Sequence, residues 1–332
     1  MEIETINQHT ADETFMRRCL QLARGGRLNA KPNPMVGAVI VGPDGRIIGE
    51  GYHVRCGEGH AEVNAFASVK ACDEHLLPQS TMYVSLEPCS HYGKTPPCAD
   101  LIIKKGVRKV VVGCVDTFAK VDGRGIEKLR NAGIEVEVGA LEKECRELNR
   151  RFFTFNSQVR PYFLMKWAQS IDGFIDDHFR PTTFSTPFTQ MLSHKLRAEN
   201  DAIIVGRVTD DRDKPRLDTR LWPGRNPKRI VLRKGDPSVQ GLSFDSGLLT
   251  QLAAKLHSEG CQSAIVEGGA YTLQRFIEAD LWDEIRVETA PFAVGGGTPA
   301  PELPANIYVS KREEYDGNTI VTFRPKTAVT QS

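Results

Sequence analysis

The sequence predicts an α/β protein built from two domains, and three observations carry this. At 332 residues the chain exceeds the size at which one hydrophobic core keeps growing. Short apolar runs of strand character alternate with stretches of helical periodicity, the pattern of sheets covered by helices. Near the middle, Asn156-Ser-Gln-Val-Arg-Pro161 interrupts the periodicity, which places a boundary close to Ser157 and predicts domains at 12–156 and 157–328.

Composition excludes several classes. Hydrophobic content of 40% and charged content of 26% are those of an ordinary globular protein. A net charge of +1 offers no broad field for nucleic acid or a membrane surface, so neither is an expected partner. No apolar run approaches the roughly 20 residues of a membrane span. The start Met1-Glu-Ile-Glu-Thr5 lacks the basic and apolar regions of a secretion signal, so a cytoplasmic enzyme is expected. Of the eight cysteines only Cys261 lies in the second half. Thiols in that compartment stay reduced, so the closely placed Cys89 and Cys98 read as metal ligands. Cys19, Cys56, Cys72, Cys114, Cys145 and Cys261 read as small core residues or bystanders.

Met1 to Thr10 shows no periodicity and is expected to be a disordered tail. Asp12 is placed to cap a helix from about Glu13 to Arg27, with Phe15, Cys19, Leu22 and Ala23 on one face. After the loop Asn29 to Pro34, Val36–Val41 and Ile47–Tyr52 read as strands joined by the turn Gly42-Pro-Asp-Gly45. A helix is expected from near His60 through Val69, then a strand over Thr81–Leu86. Pro96-Pro-Cys98 enters a helix reaching about Lys105, and strands follow at Val107–Val115 and Ile134–Val138. Asp116 to Gly125 is a loop, and Glu142–Phe155 is helical.

One stretch of this half carries chemistry. His60-Ala-Glu62 is followed by Pro88-Cys89 and Pro97-Cys98. One imidazole and two thiolates suit a catalytic Zn²⁺, which takes three protein ligands and leaves a fourth position open. Glu62, two residues after the histidine and not itself a ligand, is placed to shuttle protons. Zinc-dependent nucleobase deaminases carry H-x-E followed by P-C-x-x-C, with the glutamate as acid and base. Here the cysteines stand farther apart, as Cys89-Ser-His-Tyr-Gly-Lys-Thr-Pro-Pro-Cys98. A structural zinc site would need a fourth ligand and gives Glu62 no purpose.

In this longer form the motif resembles that of the bifunctional riboflavin-pathway deaminase/reductases. The resemblance implies a cytidine-deaminase-like domain over roughly residues 12–150, acting on a phosphorylated diaminopyrimidine and binding one Zn²⁺ through His60, Cys89 and Cys98. It implies substrate contacts from Asn33, His53, His91 and Lys94. Their chemistry fits, since an amide offers donor and acceptor and a lysine offers a charge for phosphate. The alternatives are that Asn33 shapes the turn before Pro34 and that His53 is a surface histidine. His9, His75, His178, His194 and His257 belong to no motif and read as non-functional.

In the second half, Pro161–Ala168 is an apolar strand followed by Gln169-Ser-Ile-Asp-Gly173. Leu192–Glu199 is helical, Asp201–Gly206 a buried strand, and Arg229–Leu232 and Ser263–Glu267 are further strands. Gly268-Gly269 opens a helix, and Leu281–Val287 leads into the last sheet region. Glycines at a strand end before a helix let N–H groups approach a phosphate, although a tight turn needs the same residues. This half is similar to the reductase domain of the same family, which implies a dihydrofolate-reductase-like fold over about residues 160–325 and NADPH as cofactor. The resemblance places Ala168, Thr209, Asp213, Gly269, Ala270, Tyr271, Thr272, Leu273, Gln274 and Arg275 at the cofactor. It places Arg197, Leu217, Arg220 and Glu267 at the substrate, with Asp213 also catalytic. Lys214 and Asp218 depart from the family's pattern, as does the stretch around Phe184 and Ser185.

The expectation is therefore a two-step enzyme that deaminates the pyrimidine and then reduces the opened ribose with NADPH, working as a homo-oligomer, dimer or tetramer. The rivals are a single-function deaminase whose second domain only binds or assembles, and a non-catalytic module folded around zinc.

Overall fold

The computed structural model describes residues 2–92, 96–116 and 123–326. The chain divides into two compact units between Gln158 and Val159.

The first unit begins with helix α1 (Glu2–Ala23). It continues with strands β1 (Gly37–Val41) and β2 (Ile47–Tyr52), helix α2 (Ala61–Ala67), strand β3 (Thr81–Val84) and helix α3 (Cys98–Lys105). Strand β4 (Lys109–Val112), helix α4 (Arg124–Asn131), strand β5 (Glu135–Val138) and helices α5 (Glu142–Leu148) and α6 (Arg150–Gln158) complete it. The five strands lie in the order β2-β1-β3-β4-β5. β1 is antiparallel to both neighbours, and β3, β4 and β5 are parallel.

Both faces of this sheet are covered. Ala38, Ile40, Met82, Val84, Val110 and Val112 pack on one side against Ala61, Ala65, Phe66, Ile102 and Leu129 of α2, α3 and α4. The alternate residues Val39, Val41, Tyr83 and Val111 face Met16, Cys19 and Leu20 of α1 and Cys145 of α5. Strand side chains alternate between faces, so one set of short strands serves two cores.

Three expectations are corrected here. The segment read as a disordered tail is helical from Glu2; it holds no glycine or proline, so nothing in it stops the helix. Asp12 is therefore not a cap. It lies inside α1, buried, and accepts a hydrogen bond of 2.7 Å from the Tyr83 hydroxyl. The loop read between Asp116 and Gly125 ends early, because Arg124 already opens α4. Residues 117–122 of it lie outside the described residues.

The second unit has strand β6 (Tyr162–Gln169), helix α7 (Pro187–Glu199), strand β7 (Ala202–Gly206), helix α8 (Arg207–Asp213) and strand β8 (Lys228–Leu232). Helix α9 (Leu248–Ser258), strand β9 (Ser263–Val266), helix α10 (Ala270–Glu278) and strands β10 (Glu284–Thr289), β11 (Ile307–Tyr315) and β12 (Asn318–Pro325) follow. The sheet order is β11-β12-β10-β6-β9-β7-β8, parallel from β10 to β8 and antiparallel through β12 and β11. Phe163, Met165, Ile204, Val266 and Ile285 pack against Leu252 and Leu256 of α9 and Leu273 and Phe276 of α10. Leu164, Ile203, Val205 and Ile265 face the other way, toward Leu196 of α7. The chain leaves β7 at Gly206 directly into α8.

Candidate active sites

The first site is assembled where β3 and the starts of two helices meet. His60 has extended backbone angles (φ −70°, ψ 170°) and is the cap residue of α2, so Glu62 falls in that helix's first turn. Cys89 follows the end of β3, and Cys98 is the first residue of α3. The positive ends of two helices thus converge on two sulfurs, which favours thiolate.

His60 Nδ1 lies 3.6 Å from Cys89 Sγ and 3.3 Å from Cys98 Sγ, and all three donor atoms lie within 4.8 Å of one another. A tetrahedral zinc with ordinary bond lengths needs nitrogen–sulfur edges of about 3.6 Å. The donor set and its spacing fit that ion. The Cys98 N–H also donates to Cys89 Sγ at 3.3 Å. With the Cys98 thiol and His60, that contact pulls Cys89 toward the thiolate, while the proton shared with Cys89 and burial push Cys98 up.

Glu62 is only 3% exposed and lies against this trio. Burial, reinforced by the neighbouring Cys89 thiolate, pushes its carboxyl up to about 7. A carboxyl balanced near neutrality can both take and return a proton.

A polar layer backs the imidazole. Asn33 Nδ2 meets His53 Nε2 at 3.1 Å, and His53 Nδ1 meets the Gly59 carbonyl at 3.1 Å. Because the amide nitrogen only donates, Nε2 is the acceptor and Nδ1 carries the proton. Burial holds His53 below its ordinary pKa, in keeping with a neutral ring. Its ring meets that of His60 edge-on, with centroids 5.2 Å apart. His53 is 2% exposed, so it is not a surface histidine. His91 is exposed in the segment between β3 and α3, and Lys94 lies outside the described residues.

The second site lies at the carboxyl ends of the adjacent parallel strands β6, β9 and β7, where open α/β sheets bind ligands. Ala168 closes β6, Glu267 to Gly269 follow β9, and Thr209 lies in α8, which follows β7 directly. The Thr209 hydroxyl accepts the Gly269 N–H at 2.9 Å and so fixes the start of α10. Arg197 grips Glu267 with two hydrogen bonds, of 2.7 and 3.2 Å, and donates to the Asp218 carbonyl at 3.3 Å. Burial alone would raise the Glu267 pKa, but Arg197 and Lys166 overcome it and hold the carboxylate below its ordinary range. Arg220 is exposed and tied to Asp218 at 2.5 Å. Asp213 is exposed at the end of α8 and accepts from Arg212 at 3.0 Å. Arg212 in turn reaches the buried Asp176 at 3.3 Å.

The structure does not bring every expected side chain to this site. Leu217, at φ +55°, points its side chain into the core with Ile203 and Val231. Leu273 is fully buried, Gln274 accepts from the Glu302 N–H, and Arg275 pairs with Glu278. A helix presents only its first turn to a ligand at its amino end, and that leaves Gly269, Ala270 and the 79%-exposed Tyr271 of the expected run. Thr272, 9% exposed, packs its side chain against Gly206 and Gly268. Two residues that the sequence did not single out stand here. Lys166 acts on Glu267, and its charge inside an otherwise apolar strand was a legible signal. His194, read as non-functional, is buried with Nδ1 at 3.8 Å from Asp218; no local pattern marks it.

Comparison with known proteins agrees with both halves. Residues 9–114 match the cytidine and deoxycytidylate deaminase zinc-binding region, and residues 161–309 match the RibD C-terminal domain. Over 326 residues the chain is 37% identical to the riboflavin biosynthesis protein RibD of Aquifex aeolicus, covering 88% of this chain and 90% of that one. The Bacillus amyloliquefaciens protein of the same name is 34% identical over 330 residues, covering 88% and 87%. The crystal structure of a diaminohydroxyphosphoribosylaminopyrimidine deaminase/5-amino-6-(5-phosphoribosylamino)uracil reductase from Thermotoga maritima superposes with a TM-score of 0.86 at 34% identity. It covers 96% of this chain and 100% of its own.

Proposed function

Because the chain belongs to the RibD family of riboflavin biosynthesis proteins and carries its deamination and reduction steps, we propose how its residues divide that work. Residues 12–156 hold the deaminase and 157–328 the reductase; the division of the chain between Gln158 and Val159 supports this placement. The observation that carries the deaminase reading is the trio His60, Cys89 and Cys98 beside a buried Glu62.

When bound, zinc makes water a nucleophile at neutral pH. Glu62 accepts the proton released as water adds to the amino-bearing ring carbon and hands it to the departing amine, so ammonia leaves and a carbonyl remains. Asn33 presents its carboxamide to the pyrimidine, and neutral His53 fixes that side chain through its Nε2. His91 and Lys94 meet the ribose phosphate.

In the second unit NADPH supplies the hydride. Ala168, Thr209 and the start of α10 at Gly269 to Tyr271 receive the cofactor, and the Arg197–Glu267 pair with Arg220 orients the ribose and its phosphate. Planar guanidinium groups suit that phosphate. Asp213, anchored through Arg212, assists at the opened sugar. Among the described residues no helix is long and apolar enough to cross a membrane. The resemblance supports a cytoplasmic homo-oligomer, dimer or tetramer.

Purified protein is expected to carry one zinc per chain, to release ammonia from the diaminopyrimidine substrate, and then to oxidise NADPH. Ammonia release with no NADPH oxidation would instead mark a single-function deaminase. Asp213→Asn keeps size and most hydrogen bonding while removing charge. NADPH oxidation on pre-deaminated substrate should fall by about tenfold or more, and by about 10²–10⁴-fold if Asp213 acts as a full acid–base group. Deamination and the melting curve should stay as in the wild type; an unchanged reductase rate removes Asp213 from the reaction.

A further inference from the structure

The strand end that delivers Cys89 is held by a carboxylate with no part in the chemistry above. Glu87 lies two residues before Cys89 and is 5% exposed. Its Oε2 accepts the N–H groups of Asp116 at 3.3 Å and Gly123 at 3.0 Å. Its Oε1 accepts those of Gly125 at 2.9 Å and Ile126 at 3.4 Å. Among the described residues its carboxylate partners are all main-chain. A buried charge is tolerated only when it is fully hydrogen-bonded. Here the unpaired N–H groups at the start of α4, with that helix's positive end, supply the bonds.

A second observation places the same contact against the metal loop. A Cβ on Gly125 would stand 2.0 Å from the Pro88 carbonyl oxygen, so the start of α4 is seated directly on the residue before Cys89. The Glu87 N–H donates to the Cys114 carbonyl at 3.0 Å, which ties the same strand end to the exit of β4. Beyond it, the Cys89 carbonyl accepts the Ala99 N–H at 3.1 Å. Cys89 is thus set between α3, which bonds it directly, and α4, which reaches it through Glu87 and Pro88.

We propose that Glu87 is a positioning residue of the metal centre, fixing the Cys89 thiolate by clamping the start of α4 to the strand end. Glutamine cannot replace it, because its NH₂ group would face backbone donors. The proposal rests on Cys89 as a ligand, and Cys89→Ser tests that premise separately through outright loss of metal.

The test uses the full chain loaded with cobalt(II), whose visible and thiolate charge-transfer bands report the geometry at the sulfurs, together with zinc affinity from chelator competition. In Glu87→Gln both should change, affinity weakening by about tenfold or more, as supporting residues around a metal commonly give. NADPH oxidation should not change. Gly125→Ala attacks the clamp from its other side, leaves the carboxylate in place, and should give the same two changes. Wild-type bands and affinity in Glu87→Gln overturn the proposal whatever happens to the melting temperature. If that variant does not fold, the same result in Gly125→Ala overturns it equally.

Discussion

Glu62→Gln abolishes ammonia release while zinc stays bound and NADPH oxidation on pre-deaminated substrate continues at the wild-type rate. The expected loss is about 10²–10⁴-fold, the ordinary worth of a positioned acid–base group. Glutamine preserves the shape of a side chain that is 3% exposed but can neither take nor return a proton. The variant also carries a stability consequence with a definite sign. Burial raises the Glu62 pKa from 4.5 to about 7 in the metal-free protein. A raised pKa makes its contribution to stability largest below 4.5 and lost as pH rises through 7. Glutamine does not ionise, so the metal-free variant should gain on the wild type across that window. Metal analysis, ammonia release, NADPH oxidation and melting curves of the metal-free protein check all four parts. Near-normal ammonia release would remove Glu62 from the mechanism.

Arg197→Met should damage the second unit more than any other single change at its site. The Arg197 side chain is 14% exposed and that of Glu267 9%, and the two share two hydrogen bonds. Removing one partner of such a pair leaves a buried charge uncompensated, at about 3–5 kcal/mol. Lys166 remains near the carboxylate, so the lower end, about 3 kcal/mol at neutral pH, is expected. If Glu267 also orients substrate, reductase activity falls as well, by an amount the stability cost does not set. Because the folded pKa of Glu267 is depressed, the pair's stabilisation is present above the ordinary glutamate value of 4.5 and is lost as pH falls through the folded value. The gap between wild type and variant should therefore close in acid. Melting curves from neutral pH downward, with deamination as the internal control, decide it. A gap that widens in acid, or a wild-type melting temperature at neutral pH, would contradict the assignment of a stabilising buried pair.

What the sequence determined by itself was what short stretches of chain encode. His60, Glu62, Cys89 and Cys98 were legible because they sit in two short stretches of chain around the ends of one strand and two helices, and their types and order leave little other use for them. Strand runs such as Pro161–Ala168 and Asp201–Gly206 were legible for the same reason: β-branched and apolar residues concentrate where a sheet is buried on both faces. Glu267-Gly-Gly at a strand end announced the helix that follows.

Only the tertiary structure decided which side chains meet across the chain. It turned Asp12 from an expected cap into the partner of Tyr83, and it joined Arg197 to Glu267 across the β7 and β9 region. It buried the Leu217 and Leu273 side chains in the core, where an apolar side chain gains most from leaving water. His53 gained its buried neutral ring from Asn33 and Gly59, and Glu87 gained its role from main-chain groups that no sequence pattern displays. Periodicity reports which face of an element is apolar. Which partner a buried polar group finds depends on how the elements pack, and the penalty for leaving such a group unbonded is what makes that choice specific.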